Sequence, residues 1–446
     1  MPVGAAIIPT MEDTEGHPPA PFDVQDLAIE ALRAFVRDAI ATATTTGQSP
    51  DTHRRHVPIF DLEYDAQFTQ LASYAQAVAR VSQIENFRQH YGVEEAERIV
   101  LQFLYEYFSE APSLLVHDAC FESVGSRFFQ ELSKPAWRHV GIAILQNFTS
   151  PLHRIEIADG IAVCLRTLED TRGAVGREEL RWLEEDWMRG AIGSHALIAE
   201  HSEPKTPGNV ISGDANHTFK KIERALLALR LAKAGDVRTG RIFYCRPALL
   251  PKRLPGRPSS GEAEFRPGAD YLLEDCDAPL VRRSYALLAQ FDNIAATWNN
   301  IRVAIRRFTA IYENDWREPE DRVIDAMIAV EWLLRTKNAH ELSLRVAGLL
   351  ADDDVEREAL KKETKRWCRL RGNIVHGTDS RPQDREALAT TGEFINIVRR
   401  VLLGFLTLAT GSSRFNDRPS LSADIDKLLL DTSERSELRK AMGLCE

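Results

Sequence analysis

No apolar run in the 446-residue chain approaches the roughly 18 to 20 residues that a membrane-spanning helix needs, so no such helix is expected. The first 21 residues contain Glu12, Asp13 and Glu15 and no basic cluster ahead of an apolar core, so they do not read as a secretion signal. Cysteine is sparse. Cys120, Cys164, Cys245, Cys276, Cys368 and Cys445 lie far apart, and no pair has the close spacing of a zinc knuckle or redox motif. Neither a structural metal nor a disulfide framework is therefore expected, and scattered thiols fit a reducing, cytoplasmic setting. Positive charge is also in deficit: 56 Lys and Arg against 66 Asp and Glu leave a net charge of −10. Such a chain repels nucleic acid on average, so any function directed at phosphate has to rest on a local basic patch.

Other familiar features are missing too. There is no repeat of solenoid period, and no Gly-x-Ser-x-Gly nucleophile elbow. The stretch Thr171 to Gly176 lacks the Lys-Ser/Thr ending of a phosphate loop. His195 and His201 share a strand-like segment with Glu200 but have no third ligand at a usable spacing. Asp352, Asp353 and Asp354 precede a helical pattern and are most simply an N-cap cluster.

The remaining pattern is mainly α, with one α+β stretch. Residues 1–21 read as a flexible tail and 22–150 as a helical region. Within the latter, Leu27, Ala28, Ala31, Leu32 and Phe35 line one face of a helix over Val24–Ala43, with Asp23 as a possible N-cap. Further helices are expected over about 65–90, from Val93, and over 121–132. Residues 151–250 read as an α+β domain with a small antiparallel sheet. In it, Asp159-Gly160 turns a hairpin, Ser194–Glu200 and Arg241–Cys245 are further strands, and Thr218–Ala234 is one packed helix. Residues 251–278 read as a linker, 279–412 as a helical bundle and 413–446 as a helical tail. Helices are expected there over 280–314, 319–336, 339–351, 353–372 and 383–409.

One stretch breaks the acidic average. Between Lys361 and Arg371 lie six basic residues, and Lys362, Arg366 and Arg369 fall at i, i+4 and i+7 of a helix. They form a stripe able to face a phosphate backbone, or a solvated face balanced by Glu356, Glu358 and Glu363. The stripe leads into Arg371-Gly372-Asn373-Ile374-Val375-His376-Gly377. Upstream, Val323 to Leu334 is an apolar helix carrying Glu331, and Ala304-Ile305-Arg306-Arg307-Phe308 precedes it.

In these three elements, and in their order, the C-terminal part resembles the Apea-like families of the HEPN superfamily. Their ribonuclease members carry Arg, four to six residues, then His. The resemblance covers about 110 residues and implies a helical-bundle fold, cleavage of RNA without a metal or other cofactor, and a homodimer. It also implies a setting in bacterial anti-phage defence or a toxin system, with the region ahead of residue 279 sensing a phage or regulatory trigger. The pattern departs at Gly372, where those families often place a polar residue; here the polar Asn373 comes one position later. Residues five apart on an ideal helix point about 140° away from each other, so a helix break at Gly372 is expected to bring Arg371 and His376 together.

The chemistry accounts for the residue types. Attack of a ribose 2′-hydroxyl on its own phosphate needs a base, a cation for the phosphorane and an acid for the leaving oxygen. A histidine such as His376 serves as base or acid because imidazole titrates near neutrality. Arg371 offers a fixed fork of donors to the phosphorane. One domain supplies a single His, so a complete site calls for two copies facing each other. Glu331 either orients Arg371 or His376 or sits at the edge of the apolar stripe, reaching solvent. Asn373 contacts substrate or caps the helix. Trp367 reads as a core aromatic, and His376 followed by Gly377 also fits a helix C-terminus with a glycine cap. The alternative function is a non-catalytic interaction or RNA-binding protein in which the Arg-His pair is structural.

Overall fold

The computed structural model describes residues 24–45, 62–165, 195–206, 215–245, 270–313, 319–377, 382–411, 414–415 and 421–444. The tail 1–21, Asp23, the stretch Thr171 to Gly176 and most of the expected linker lie outside the described residues. The fold is mainly helical with a small antiparallel sheet, and the chain divides into two compact units.

One unit holds α1 (Val24–Thr45), α2 (Leu62–Thr69), α3 (Ala72–Val81), α4 (Glu85–His90), α5 (Ala96–Glu110) and α6 (Asp118–Ser133). The apolar stripe read in α1 is buried, and Phe35 meets Tyr74 of α3 with ring centroids 5.3 Å apart. Phe103 of α5 packs edge-on against Phe128 of α6 at 5.0 Å. The single helix expected over 65–90 is three short ones, broken at Leu71 and Ile84, whose extended backbone interrupts the helical ladder. Lys205 returns to this unit. Its amine is buried beside Glu131, 3.7 Å from the carboxylate and 5.0 Å from the Tyr91 ring centre.

The other unit contains β1 (Ala136–Gln146), β2 (Phe148–Thr149), β3 (Arg154–Ala158), β4 (Ile161–Leu165), β5 (His195–Pro204), α7 (Ala215–Ala232), β6 (Arg238–Cys245) and β7 (Tyr271–Leu272). Five strands run in the order β3-β4-β5-β1-β6, and β2 pairs with β7 in parallel. The β3–β4 hairpin turns at Gly160, whose φ of 66° is left-handed and suits glycine. Alternate residues divide between the sheet's faces. Val163, Leu197 and Ala199 join α7 in the main core, whereas Ala162, Cys164 and Ile198 form a smaller cluster.

Strand β1 lies inside the region 22–150 that was expected to be helical. Its run Ile142 to Leu145 is buried throughout, so it lacks the alternation that marks a half-exposed strand.

The helices that follow are α8 (Ala278–Asp292), α9 (Asn299–Glu313), α10 (Pro319–Leu334), α11 (Ala339–Leu350), α12 (Asp354–Val375), α13 (Pro382–Ala389), α14 (Thr391–Thr410), α15 (Leu421–Leu430) and α16 (Thr432–Ala441). The expected helix 280–314 is divided between α8 and α9, where buried Trp298 anchors the connection. The expected 383–409 is divided at Thr390.

The α+β segment and the helices, expected as successive domains, share one hydrophobic core. In it Ile222, Ala225 and Leu229 of α7 join Val281 of α8 and Val401 of α14. Polar contacts reinforce the junction. Arg399 of α14 donates to the carbonyls of Leu231 and Ala232 at 2.8 and 3.1 Å, satisfying the C-terminus of α7. Asp236 takes Arg238 at 3.0 Å and Arg322 of α10 at 3.7 Å. The C-terminal segment is also part of this core, as Arg435 of α16 donates to Gly348 and Ala351 at the end of α11.

Candidate functional site

Helix α12 carries most of the site, and its start follows from its sequence. Asp353 caps it, accepting from the Glu356 amide at 2.7 Å. The neighbouring carboxylates are engaged as well, Asp352 with Arg439 and Asp354 with Arg357, so this acidic cluster has a structural explanation. Thr364, Trp367 and Leu370 are the buried face. Trp367 is fully buried and stacked on Phe394 at 5.1 Å, the core aromatic its position suggested.

The basic residues divide into two sets. Lys361 pairs with Glu358 at 2.8 Å, and Arg366 lies 3.7 Å from Glu363. Lys362, Lys365 and Arg369 are exposed and make no ion pair or hydrogen bond with any described residue. At about 100° per residue, Arg369 lies about 20° from Lys362 around the helix axis, and His376 a further 20° on. Exposed His376 therefore continues this basic face, whose two lysines have Glu358 within electrostatic reach.

Helix α12 runs unbroken through Gly372 to Val375, contrary to the expected break there. It ends one residue later. The His376 amide donates to the Gly372 carbonyl at 3.0 Å, the Gly377 amide to Ile374 at 3.2 Å, and Gly377 takes a φ of 62°. A carbonyl ladder satisfied up to that point leaves Gly372 no reason to leave the helix. Arg371 and His376 consequently project about 140° apart within one chain.

Arg371 lies instead beside the buried face, half-buried, with its Nε enclosed and without a hydrogen-bond partner among the described residues. Glu331, half-buried on α10, and Cys368 are its electrostatic neighbours. Burial pushes the Glu331 carboxyl upward, opposed mainly by Arg371 and less by Lys337. The Cys368 thiol is pushed up to about 11, by burial first and then by Glu331, while Arg371 opposes. The thiol is therefore protonated at neutral pH. Asn373 donates to the buried Asp384 of α13 at 3.1 Å, holding that helix against α12. In the upstream motif, Arg307 of α9 donates to the buried Asp325 of α10 at 3.0 Å, a structural pairing between the two helices.

The chain matches no protein-family model, no curated protein and no solved structure.

Beyond α12, strand order creates a histidine group that linear spacing did not reveal. His201 of β5 faces His139 of the adjacent β1 at 6.1 Å between ring centroids, and His217 of α7 at 4.9 Å. His139 also lies 3.4 Å from Glu203. His195 packs separately on Phe148 at 5.3 Å, with its imidazole pKa lowered by burial. Glu200 is engaged by Arg138 through two hydrogen bonds. The clustered donors Glu274, Cys276 and Asp277 surround a helix start, where Lys233 already pairs with Asp277 at 2.7 Å and Glu274 at 3.6 Å.

Proposed function

We propose that the chain is a HEPN-type RNA-cleaving effector that works without a metal, in a cytoplasmic defence or toxin setting, with Arg371 and His376 as its catalytic residues. The observation that carries this reading is the exposed end of α12. There His376 continues an exposed face of basic side chains, Lys362, Lys365 and Arg369; Glu358 lies within electrostatic reach of the two lysines, and none of the three makes a close ion pair with a described residue. A phosphate backbone laid along this face meets the imidazole at its end. Arg366 stands at the edge of the same face and can turn from Glu363 to phosphate.

In the proposed reaction one His376 removes the 2′-hydroxyl proton as the oxygen attacks the adjacent phosphorus. The 5′-oxygen leaves with a proton from a second histidine, and the product is a 2′,3′-cyclic phosphate. Arg371 donates to the phosphorane oxygens, and Glu331 is its positioning neighbour. Because the two residues diverge about 140° around one helix, the site is assembled from two chains. In that dimer, Arg371 and His376 reach within about 10 Å of their counterparts, close enough for a shared phosphate.

RNA incubated with the purified chain in EDTA should acquire 2′,3′-cyclic phosphate ends, and His376→Ala should slow their formation by about 10²–10⁴-fold. Cleavage that stops in EDTA, or a chain that stays monomeric at high concentration by light scattering, would count against the reading. The divergence of Arg371 and His376 in one chain, with Asn373 engaged by Asp384, favours a second reading: a non-catalytic RNA-binding or interaction protein.

A further inference from the structure

A cleft of about 740 Å³ opens between α7, α8 and α9, apart from α12 and independent of the proposed cleavage. Its volume lies within the usual range for small-molecule sites. Along α7, His217, Lys220, Lys221 and Arg224 precede Leu226 and Leu227, with Glu223 among the cations and Arg230 beyond the leucines; Leu288 of α8 and Ile305 of α9 complete the apolar part. Four cationic side chains, counting Arg230, face two carboxylates, Glu223 and Asp292.

The cations differ in how far they are committed. Arg224 is paired with Asp292 and lies over the Tyr285 ring. Arg230 donates to the Val237 carbonyl at 3.1 Å, and Lys221 to the Glu200 carbonyl at 2.7 Å. Lys220 is exposed and has no partner among the described residues, so it is the cation free to take a ligand. His217, whose ring lies tilted against that of His201, stands one helical turn before it.

From the exposed Lys220 and the apolar residues beside it we infer that the cleft binds a nucleoside phosphate, with its phosphate at Lys220 and His217 and its base against Leu226, Leu227, Leu288 and Ile305. A phosphate gains a charge-assisted contact at Lys220, and the flat ring covers the part of Ile305 and the edges of the largely buried leucines that remain exposed. The site is a groove read by side chains, not a glycine-rich phosphate loop.

Calorimetry on the full chain with adenosine monophosphate, ribose 5-phosphate and adenosine tests the inference. The monophosphate should bind saturably and more tightly than either fragment. Lys220→Glu should weaken it about tenfold or more, the scale of one lost charge-assisted contact. Lys220→Gln serves the same purpose should the charge reversal lower the melting temperature. Absence of saturable binding, or unchanged affinity in both variants, would overturn the site. Ribose 5-phosphate binding as tightly as the nucleotide would overturn the base-binding half.

Discussion

Arg371 has its Nε enclosed without a hydrogen-bond partner among the described residues, while Glu331 and Cys368 lie within electrostatic reach. This arrangement is testable through the thiol. Glu331→Gln should move the Cys368 pKa down from about 11, because a nearby negative charge is removed. Arg371→Ala should move it further up. Thiolate absorbance against pH, in a chain whose other cysteines are serine, reads both shifts; no change in either variant would separate the three residues. Lys205 offers a second titration. Burial lowers its amine from 10.5 to about 8 despite Glu131, so between those values the unfolded chain holds one proton more than the folded one. Stability contributed by this group therefore rises as pH goes from about 8 to 10.5 and is lost as pH falls back through 8. Denaturant titrations should show a wild-type slope about 1.4 kcal/mol per pH unit steeper than in Lys205→Met, the value of one proton. Equal slopes would contradict it.

At the scale of elements, Gly372 matters most. It lies inside α12, and a Cβ built there meets nothing within 4 Å. Gly372→Ala should accordingly stabilise the chain by about 0.5–1 kcal/mol, the usual gain in a helix interior, seen as a higher denaturant midpoint. A destabilised variant would restore the broken-helix expectation. Gly372 also shows how sequence reading succeeds and fails here. The amphipathic helix α1, the apolar helix α10, the Asp159-Gly160 hairpin and the Asp353 cap were legible because their signals are local. Strand β1 was not, since burial on both faces erases alternation. The breaks at Trp298 and Thr390 were missed because apolar spacing continues across them while tertiary packing sets the new helix direction.

For the whole molecule, the sequence suggested a boundary between an α+β domain and a helical one, but Arg399, Asp236 and the shared core join them in one unit. Their partners lie up to 168 residues apart in sequence, a separation no local pattern records. The site was legible as residue types at a spacing. Its geometry was not, because the side on which Arg371 lies depends on α10 packing against α12. Against the net charge of −10, the basic face of α12 that ends in His376 is the proposed RNA contact. On the proposed function, this face cleaves RNA through His376. Cleavage rates of wild type and His376→Ala, measured on one RNA in EDTA with both proteins shown to be folded, test it most directly. The account predicts a loss of about 10²–10⁴-fold, the contribution expected of a general acid or base; equal rates would contradict it.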